Sequence, residues 1–364
     1  MIALGGNPVM NAEKQTRDDK FYFSDGNMTI LVSNILFRVH QHVLARDGST
    51  FETMFSAKKD AHEGPDCFKE EGEDDEHPIQ LFDDDINQFR DLLWSLYALP
   101  QEIAVAMSSK HDAAKLANVA CMAHKYNFVT TETWALKGIL SCLRDKTVLD
   151  PLSTQDLVQI TQAASLSQDV HLLDIVRKIW KGSIMEGRDL GATLVATERL
   201  GMADLVGLAY HAILLQGRQF WEEDPSLTRE QRIRLLSGYL TLAEFCDDLP
   251  DNAPSFQHGP SCWDTDECNE RWMELWKLIN SPDPAYGIGI QALRHHKLDI
   301  LGRARMAVSI MVAVVSRSFP GRGDYGRTRE LVEDFVCSER ALDATTAFSR
   351  QLQSGMLDFF PEVK

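Results

Sequence analysis

The chain of 364 residues has no excess of basic side chains. Its 37 lysines and arginines are outnumbered by 54 aspartates and glutamates, which gives a formal net charge of −17. A chain with this charge repels phosphate backbones. It also has no stretch that is both basic and aromatic, as a groove for single-stranded nucleic acid would be. We therefore expect no nucleic acid among its partners.

Long apolar runs are also missing. The most apolar stretch, Ala307 to Val315, is too short to cross a bilayer and is predicted to be a buried helix. The first residues lack the basic start and sustained apolar core of a secretory signal peptide. We therefore expect no membrane partner and a cytoplasmic or nuclear location.

Cysteine is sparse, with seven residues and no Cys-x-x-Cys pair. An odd number without a secretion signal favours reduced thiols. Cys246, His258, Cys262 and Cys268 are nevertheless close in sequence, and all four are zinc-ligand types. We interpret them as reduced thiols beside a loop and expect neither metal nor cofactor. A structural zinc site formed by these four residues is the alternative.

Motifs of catalysis are absent as well. The sequence has no Gly-rich phosphate loop, no Gly-x-Ser-x-Gly elbow, no His-Glu-x-x-His helix and no dinucleotide fingerprint. Cys121 and His124 share a helical face, but that face also carries an apolar stripe, which favours a core position over a nucleophile and base. We expect no enzymatic activity and assign no catalytic residue.

What the sequence does have is apolar periodicity. Between residues 28 and 39, two alternating runs flank Ser33-Asn34, which predicts a β-hairpin with one buried face. Short helices at 42–46 and 49–55 follow, then a strand at 77–82 and three helices. His40 and His42 would share one face of a strand and hold a metal, but the strand pattern ends between them. We favour a packing and hydrogen-bonding role for His40.

Three adjacent carboxylates, Asp83 to Asp85, precede the first of those three helices. Such a run is typical of helix capping, which we favour over binding of Mg²⁺ or Ca²⁺. Beyond Asp150-Pro151 the pattern is almost wholly helical, and a loop at 249–265 is a candidate break. Helices are predicted at 154–164, 170–185, 190–197, 202–215, 228–245, 266–279 and 300–316.

The order of these N-terminal elements resembles the BTB/POZ domain, most of all the fungal form. The resemblance covers about residues 21–143. It rests on spaced motifs in the right order: the strand MTILV, Phe37-x-x-His40, Val43-Leu44, Phe51-x-x-Met54-Phe55, Ile79-Gln80-Leu81 and Phe89-x-x-Leu92-Leu93-x-x-Leu96-Tyr97.

The resemblance implies an α+β domain at 21–147, a small sheet covered by helices, with an acidic insert at 57–76. A flexible N-terminus at 1–20 precedes it, and a mainly α-helical region at 148–364 follows. Asn27, Phe37 and His40 match structural positions of the family, although its usual aspartate is replaced by Asn27.

The function implied by the resemblance is non-enzymatic protein binding through a homodimer or scaffold. The two short helices carry more apolar surface than they can bury against one small sheet. The resemblance implies that this region forms a dimer interface, made of Val43, Leu44, Phe51, Met54 and Phe55. The segment near Phe21 to Phe23 is expected to add an exchanged strand.

A substrate adaptor of a cullin-RING ubiquitin ligase is the alternative function. The cullin would then bind the predicted helices at 83–97 and 110–127, and an unknown protein partner would bind the C-terminal helical region. A transcription-associated regulator is a further alternative.

Overall fold

The computed structural model describes residues 15–61, 71–106, 113–144, 152–280, 297–317 and 335–362. The chain divides into two compact units, Met1–Lys178 and Ile179–Lys364. The first holds a small sheet with helices, and the described part of the second is helical, so the predicted α+β class with helices after it is confirmed. The division lies inside a helix, some 30 residues beyond the boundary predicted at 147–148.

Four strands form one sheet in the N-terminal unit: β1 Thr16–Tyr22, β2 Met28–Val32, β3 Ile35–Val39 and β4 Ile79–Leu81. Their order is β1-β3-β2-β4. The predicted hairpin is confirmed, since β2 and β3 pair antiparallel around a turn in which Ser33 adopts a φ of 53°. The pairs β1–β3 and β2–β4 are parallel.

Helices follow the sheet along the chain. Those that begin in the N-terminal unit are α1 Gln41–Leu44, α2 Thr50–Ala61, α3 Ile86–Tyr97, α4 Pro100–Ala106, α5 Ala113–Lys125, α6 Val129–Arg144, α7 Thr154–Leu166 and α8 Val170–Met185. Those of the C-terminal unit are α9 Leu190–Arg199, α10 Ala203–Leu215, α11 Arg218–Glu223, α12 Arg229–Asp248, α13 Thr265–Asn280, α14 Ile300–Ser316 and α15 Ser338–Ser354. Short 3₁₀ turns occupy Leu249–Asp251 and Met356–Phe359.

Strand β2 is the centre of the N-terminal core. The sequence predicted one buried face for the hairpin, but all five residues of β2 are buried, so both faces of this strand are covered. β2 is also an inner strand of the sheet, between β3 and β4. On β3, Phe37 packs edge-on against Phe89 of α3, with ring centroids 5.0 Å apart. This core fixes the strand–helix junction at the end of β3.

The first strand was not predicted. Residues 16–20, expected to be flexible, belong to β1, which polar contacts hold in place. The buried Asp18 carboxylate accepts from the Phe21 amide at 2.8 Å and from the Arg90 guanidinium at 2.7 Å. Part of the acidic insert also contributes, because Asp75 accepts from Arg17 and Tyr22. Residues 1–14 and 62–70 lie outside the described part of the chain.

The loop predicted as a break at 249–265 is packed into the C-terminal unit. The indole N–H of Trp276 donates to the Leu249 carbonyl at 2.7 Å, and that of Trp272 donates to the Pro254 carbonyl at 2.9 Å. Both indoles belong to a core built from α13, α14 and α15. The residues therefore lie inside one compact unit.

The stretch from Ala307 to Val315 lies in α14, as predicted, with Ala307, Met311 and Val314 buried. Among the described residues, no helix combines the length and apolar character that a membrane span needs.

Candidate functional site

The junction between β3 and α1 is organised around His40. Its backbone N–H donates to the Tyr97 hydroxyl at 2.9 Å, and its Nδ1 lies 3.1 Å from the same oxygen. Because that oxygen accepts from the backbone amide, its proton is free to point at Nδ1. His40 Nε2 then faces the Asp25 carboxylate at 3.4 Å. The hydrogen-bonding role expected for His40 is present, while His42 is exposed on α1.

Asn27 caps the short helix that begins at this junction. Its side-chain oxygen accepts from the Gln41 backbone N–H at 2.8 Å, and its backbone N–H donates to the Val39 carbonyl at 3.1 Å. An aspartate would supply the same acceptor with a full negative charge. Asn27 therefore supplies the cap without the charge that an aspartate would add.

The side chains expected to form a dimer interface on the two short helices are covered within their own unit. Val43, Leu44, Phe51 and Phe55 are all buried in the core of their own unit, and Met54 is partly buried against it. The Phe51 ring stacks on Tyr126, directly after α5, at 4.6 Å, so the helices, and not the sheet alone, cover this apolar surface.

An apolar groove is exposed elsewhere on the N-terminal unit, between α3, α4 and α5. Its volume is about 410 Å³, and its walls include Trp94, Leu99, Val105 and Leu116. The side chains of Leu99 and Val105 are 66% and 51% exposed. Lys115 lies over the Trp94 ring, with Nζ 3.5 Å from the centroid. Exposed apolar side chains gathered in a groove are typical of a protein-binding surface.

Of the three aspartates before α3, Asp85 caps the helix, as the sequence predicted. The Asp85 carboxylate accepts from the amides of Asn87 and Gln88 at 2.8 and 3.0 Å, which makes it the N-cap of α3. Asp84 is buried and pairs with the Lys125 ammonium at 2.5 Å and with the Tyr126 hydroxyl. Two of the three carboxylates are thus engaged within the protein.

Cys121 and His124 do not form a nucleophile–base pair. Cys121 is buried in α5, and burial raises the pKa of its thiol to about 11. His124 directs Nδ1 to the Glu132 carboxylate at 2.9 Å. The thiol is therefore protonated at neutral pH and has the character of a core residue.

Three of the four residues named for zinc meet in the C-terminal unit. The ligand atoms of His258, Cys262 and Cys268 cluster with that of Cys337, and all four lie within 4.8 Å of one another. Cys246 is not a member of this cluster. It is buried in α12, where burial raises the pKa of its thiol to about 11. Cys337 was missed because 68 residues separate it from Cys268, and sequence spacing carries no signal over that distance.

The histidine ring lies between two of the thiols. His258 Nδ1 is 3.4 Å from Cys262 Sγ and 3.6 Å from Cys337 Sγ, while Nε2 is 3.1 Å from the Asn269 side-chain oxygen. Burial raises the pKa of Cys268 to about 12. Burial acts in the same direction on Cys337, but hydrogen bonds from the Gly259 backbone and His258 outweigh it and lower the pKa of that thiol.

Comparison with known proteins gives no relative. No protein-family model matches the chain, and neither the curated proteins nor the solved structures contain a match.

Proposed function

We propose that the N-terminal unit is a BTB-type, non-enzymatic protein-interaction module, and that it self-associates in the cytosol or nucleus. The observation that supports this most is the topology. An antiparallel hairpin leads into two short helices, a strand parallel to β2 and then further helices. This is the order of elements on which the resemblance to the BTB family rests.

The junction supports the same proposal. Phe37 is fully buried, His40 is held by Tyr97, and Asn27 caps α1. Three positions assigned to the family's structural motif thus act together at one place. We assign these three residues a structural role: they hold α1 and α2 against the sheet. Binding is then left to α3, α4 and α5.

The surface we assign to self-association is the groove between α3, α4 and α5. The apolar side chains of α1 and α2, where the interface was first expected, are buried in the core of the unit. The outer face of α2 presents Glu52, Thr53 and Ser56, which are polar. Two copies that met through Leu99 and Val105 would remove apolar side chains from water on both sides, as a two-fold interface does.

The edge strand is a less suitable contact. β1 carries exposed charged side chains at Arg17, Asp19 and Lys20, and charge on an edge strand discourages pairing with another chain. An exchange of β1 between copies would have to reproduce the Asp18 and Asp75 contacts between two chains.

Self-association is tested with two differently tagged copies of the full chain, expressed together and purified through one tag. We expect the wild type to carry the second copy along. Leu99→Asp should lose it, because a buried carboxylate is costly. Leu240→Asp, on α12 and 63% exposed, is the matched control and should behave as wild type. Absence of the second copy in the wild type would refute self-association.

A cullin adaptor is the second candidate, and the position of the groove favours it. The helices expected to bind a cullin correspond to α3 and α5, and the groove lies between them. Calorimetry of the full chain with a purified cullin N-terminal domain tests this. Binding at micromolar concentration that Leu99→Asp abolishes would support the adaptor. Absence of heat at two well-separated temperatures would exclude it, because the heat-capacity change of apolar burial gives a heat at one of them. The C-terminal unit would then bind a separate protein partner.

A further inference from the structure

The C-terminal unit contains three thiols and one imidazole whose ligand atoms all lie within 4.8 Å of one another. We propose that His258, Cys262, Cys268 and Cys337 bind one Zn²⁺ ion in a closed structural site. In a tetrahedral site, bonds of about 2.3 Å to sulfur place two sulfur ligands about 3.8 Å apart. The four side chains therefore need to contract by about 1 Å or less to surround the ion.

The histidine is oriented to act as a ligand through Nδ1. Its Nε2–H donates to the Asn269 side-chain oxygen at 3.1 Å, which leaves the Nδ1 lone pair directed at the sulfur atoms. Zinc-binding histidines almost always donate their second ring N–H in this way, because the partner fixes the tautomer and the angle of the ring. Asn269 lies on α13, one residue after Cys268, so one turn of helix supplies both a ligand and this support.

The backbone holds the sulfur ligands in place. A turn in which the Cys262 amide donates to the Gly259 carbonyl at 3.0 Å carries the chain from His258 to Cys262. Asp264 caps α13 by accepting from the Glu267 amide at 2.9 Å, which positions Cys268 in the first turns of that helix. Cys337 precedes α15 directly. The ligands thus come from a loop and the beginnings of two helices.

The chemistry of this set favours zinc over other ions and over a disulfide. Thiolates and imidazole bind zinc well, whereas Mg²⁺ and Ca²⁺ prefer oxygen. The three cysteines are free thiols, and an odd number cannot pair completely in disulfides. Four protein ligands leave no position for water or substrate, so the ion would be structural and not catalytic.

The cluster lies beside the aromatic core of the unit. The His258 ring is 5.1 Å from Phe256, and Phe335, two residues before Cys337, stacks on Trp272 at 6.1 Å. A bound ion would therefore tie the loop, α13 and α15 together beside this core. It would stabilise the C-terminal unit independently of any partner of the N-terminal unit.

The zinc content of the full chain, purified under reducing conditions, tests the proposal by mass spectrometry of the metal. We expect about one zinc per chain in the wild type, in agreement with one four-ligand site. Cys337→Ser should lose it. Cys246→Ser is the control, because this buried thiol is near the ligands in sequence but outside the cluster. Zinc lost in Cys246→Ser and kept in Cys337→Ser would overturn the ligand set.

A visible absorption spectrum of the wild type with Co²⁺ tests the site even if Cys337→Ser fails to fold. Metal-free protein is titrated with Co²⁺ alone. We expect the visible bands of tetrahedral cobalt and a sulfur charge-transfer band of three-thiolate intensity, both of which one equivalent of Zn²⁺ removes. Wild-type protein that holds no zinc and gives neither band would show that the cluster is only a group of reduced thiols.

Discussion

One amide oxygen, that of Asn27, decides whether α1 begins with a satisfied N–H. We predict that Asn27→Ala destabilises the N-terminal unit by about 1 kcal/mol, the usual cost of a lost cap, because the Gln41 amide loses its acceptor. Asn27→Asp should be neutral or stabilising, since the carboxylate keeps the acceptor and adds charge at the helix start. Urea unfolding followed by circular dichroism measures both. Equal destabilisation in the two variants would contradict the capping role.

Asp75 makes the attachment of β1 depend on pH. Burial by itself raises its pKa, but hydrogen bonds from Tyr22 and Arg17 outweigh burial and hold the pKa of this carboxyl below its ordinary value. A carboxyl with a lowered folded pKa stabilises the fold above its unfolded pKa, near 3.8. That stability is lost as the pH falls through the folded pKa.

We therefore predict that hydrogen-exchange protection factors in β1 are constant above about pH 5 and fall below pH 4. In Asp75→Asn they should already be low at neutral pH and should change little with acid. A variant strand as well protected as the wild type at pH 7 would show that the carboxylate does not hold β1.

The helices predicted beyond residue 150 were the most predictable elements. Val170–Met185 and Ile300–Ser316 have the predicted bounds, and the other predicted helices differ by one to three residues at their ends. Their apolar stripes have helical period, and local signals such as the Thr228–Gln231 capping box define where α12 begins.

Other elements depend on contacts that the local sequence does not carry. Only Asp18 and Phe21 of β1 are buried, so the strand shows no alternation, and its partners Asp75 and Arg90 are far along the chain. Helix α15 was not predicted, because small and polar residues such as Ala341 and Thr345 form most of its buried stripe. Cys337 was likewise not predicted as a ligand, because it lies far along the chain from His258, Cys262 and Cys268.

Helix α2 contributes to the core of its own unit, and its response to substitution should show this. We predict that Phe51→Ala costs about 3–5 kcal/mol, because the fully buried ring would leave a cavity beside Tyr126. Met54→Ala, at a partly buried position, should cost less than half as much. Thermal melts at several protein concentrations measure both. If the loss of stability in Phe51→Ala disappeared at low protein concentration, Phe51 would lie in an interface between copies and not in the core.

Helix α10 packs closely against the C-terminal 3₁₀ turn at Gly207. A Cβ added there would overlap the Leu357 backbone nitrogen, which cannot move as the end of a flexible side chain can. We predict that Gly207→Ala lowers the melting temperature of the C-terminal unit by about 4 °C or more, equivalent to at least about 1–2 kcal/mol.

Gly182→Ala on α8 is the control for this substitution, because nothing lies within 4 Å of its added Cβ. It should leave stability unchanged or raise it, since alanine is the better helix former. A Gly207→Ala protein as stable as this control would mean that the turn does not pack on α10 as described.

The whole chain combines a module proposed to bind proteins with a unit proposed to be fastened by zinc. Its net charge of −17 affects the first proposal, because two copies that associate bring like charges together. Salt screens this repulsion over about 10 Å at 0.1 M. We therefore expect self-association to become stronger with ionic strength, in contrast to a contact built on surface ion pairs.

The most direct test of the interaction module is the mass of the full chain in solution, measured by light scattering after size exclusion at low and high salt. A self-associating protein should give twice the chain mass of 41.0 kDa, with the dimer persisting to lower concentration at high salt. A mass of 41.0 kDa at every concentration and salt would contradict self-association and leave the groove to a different protein.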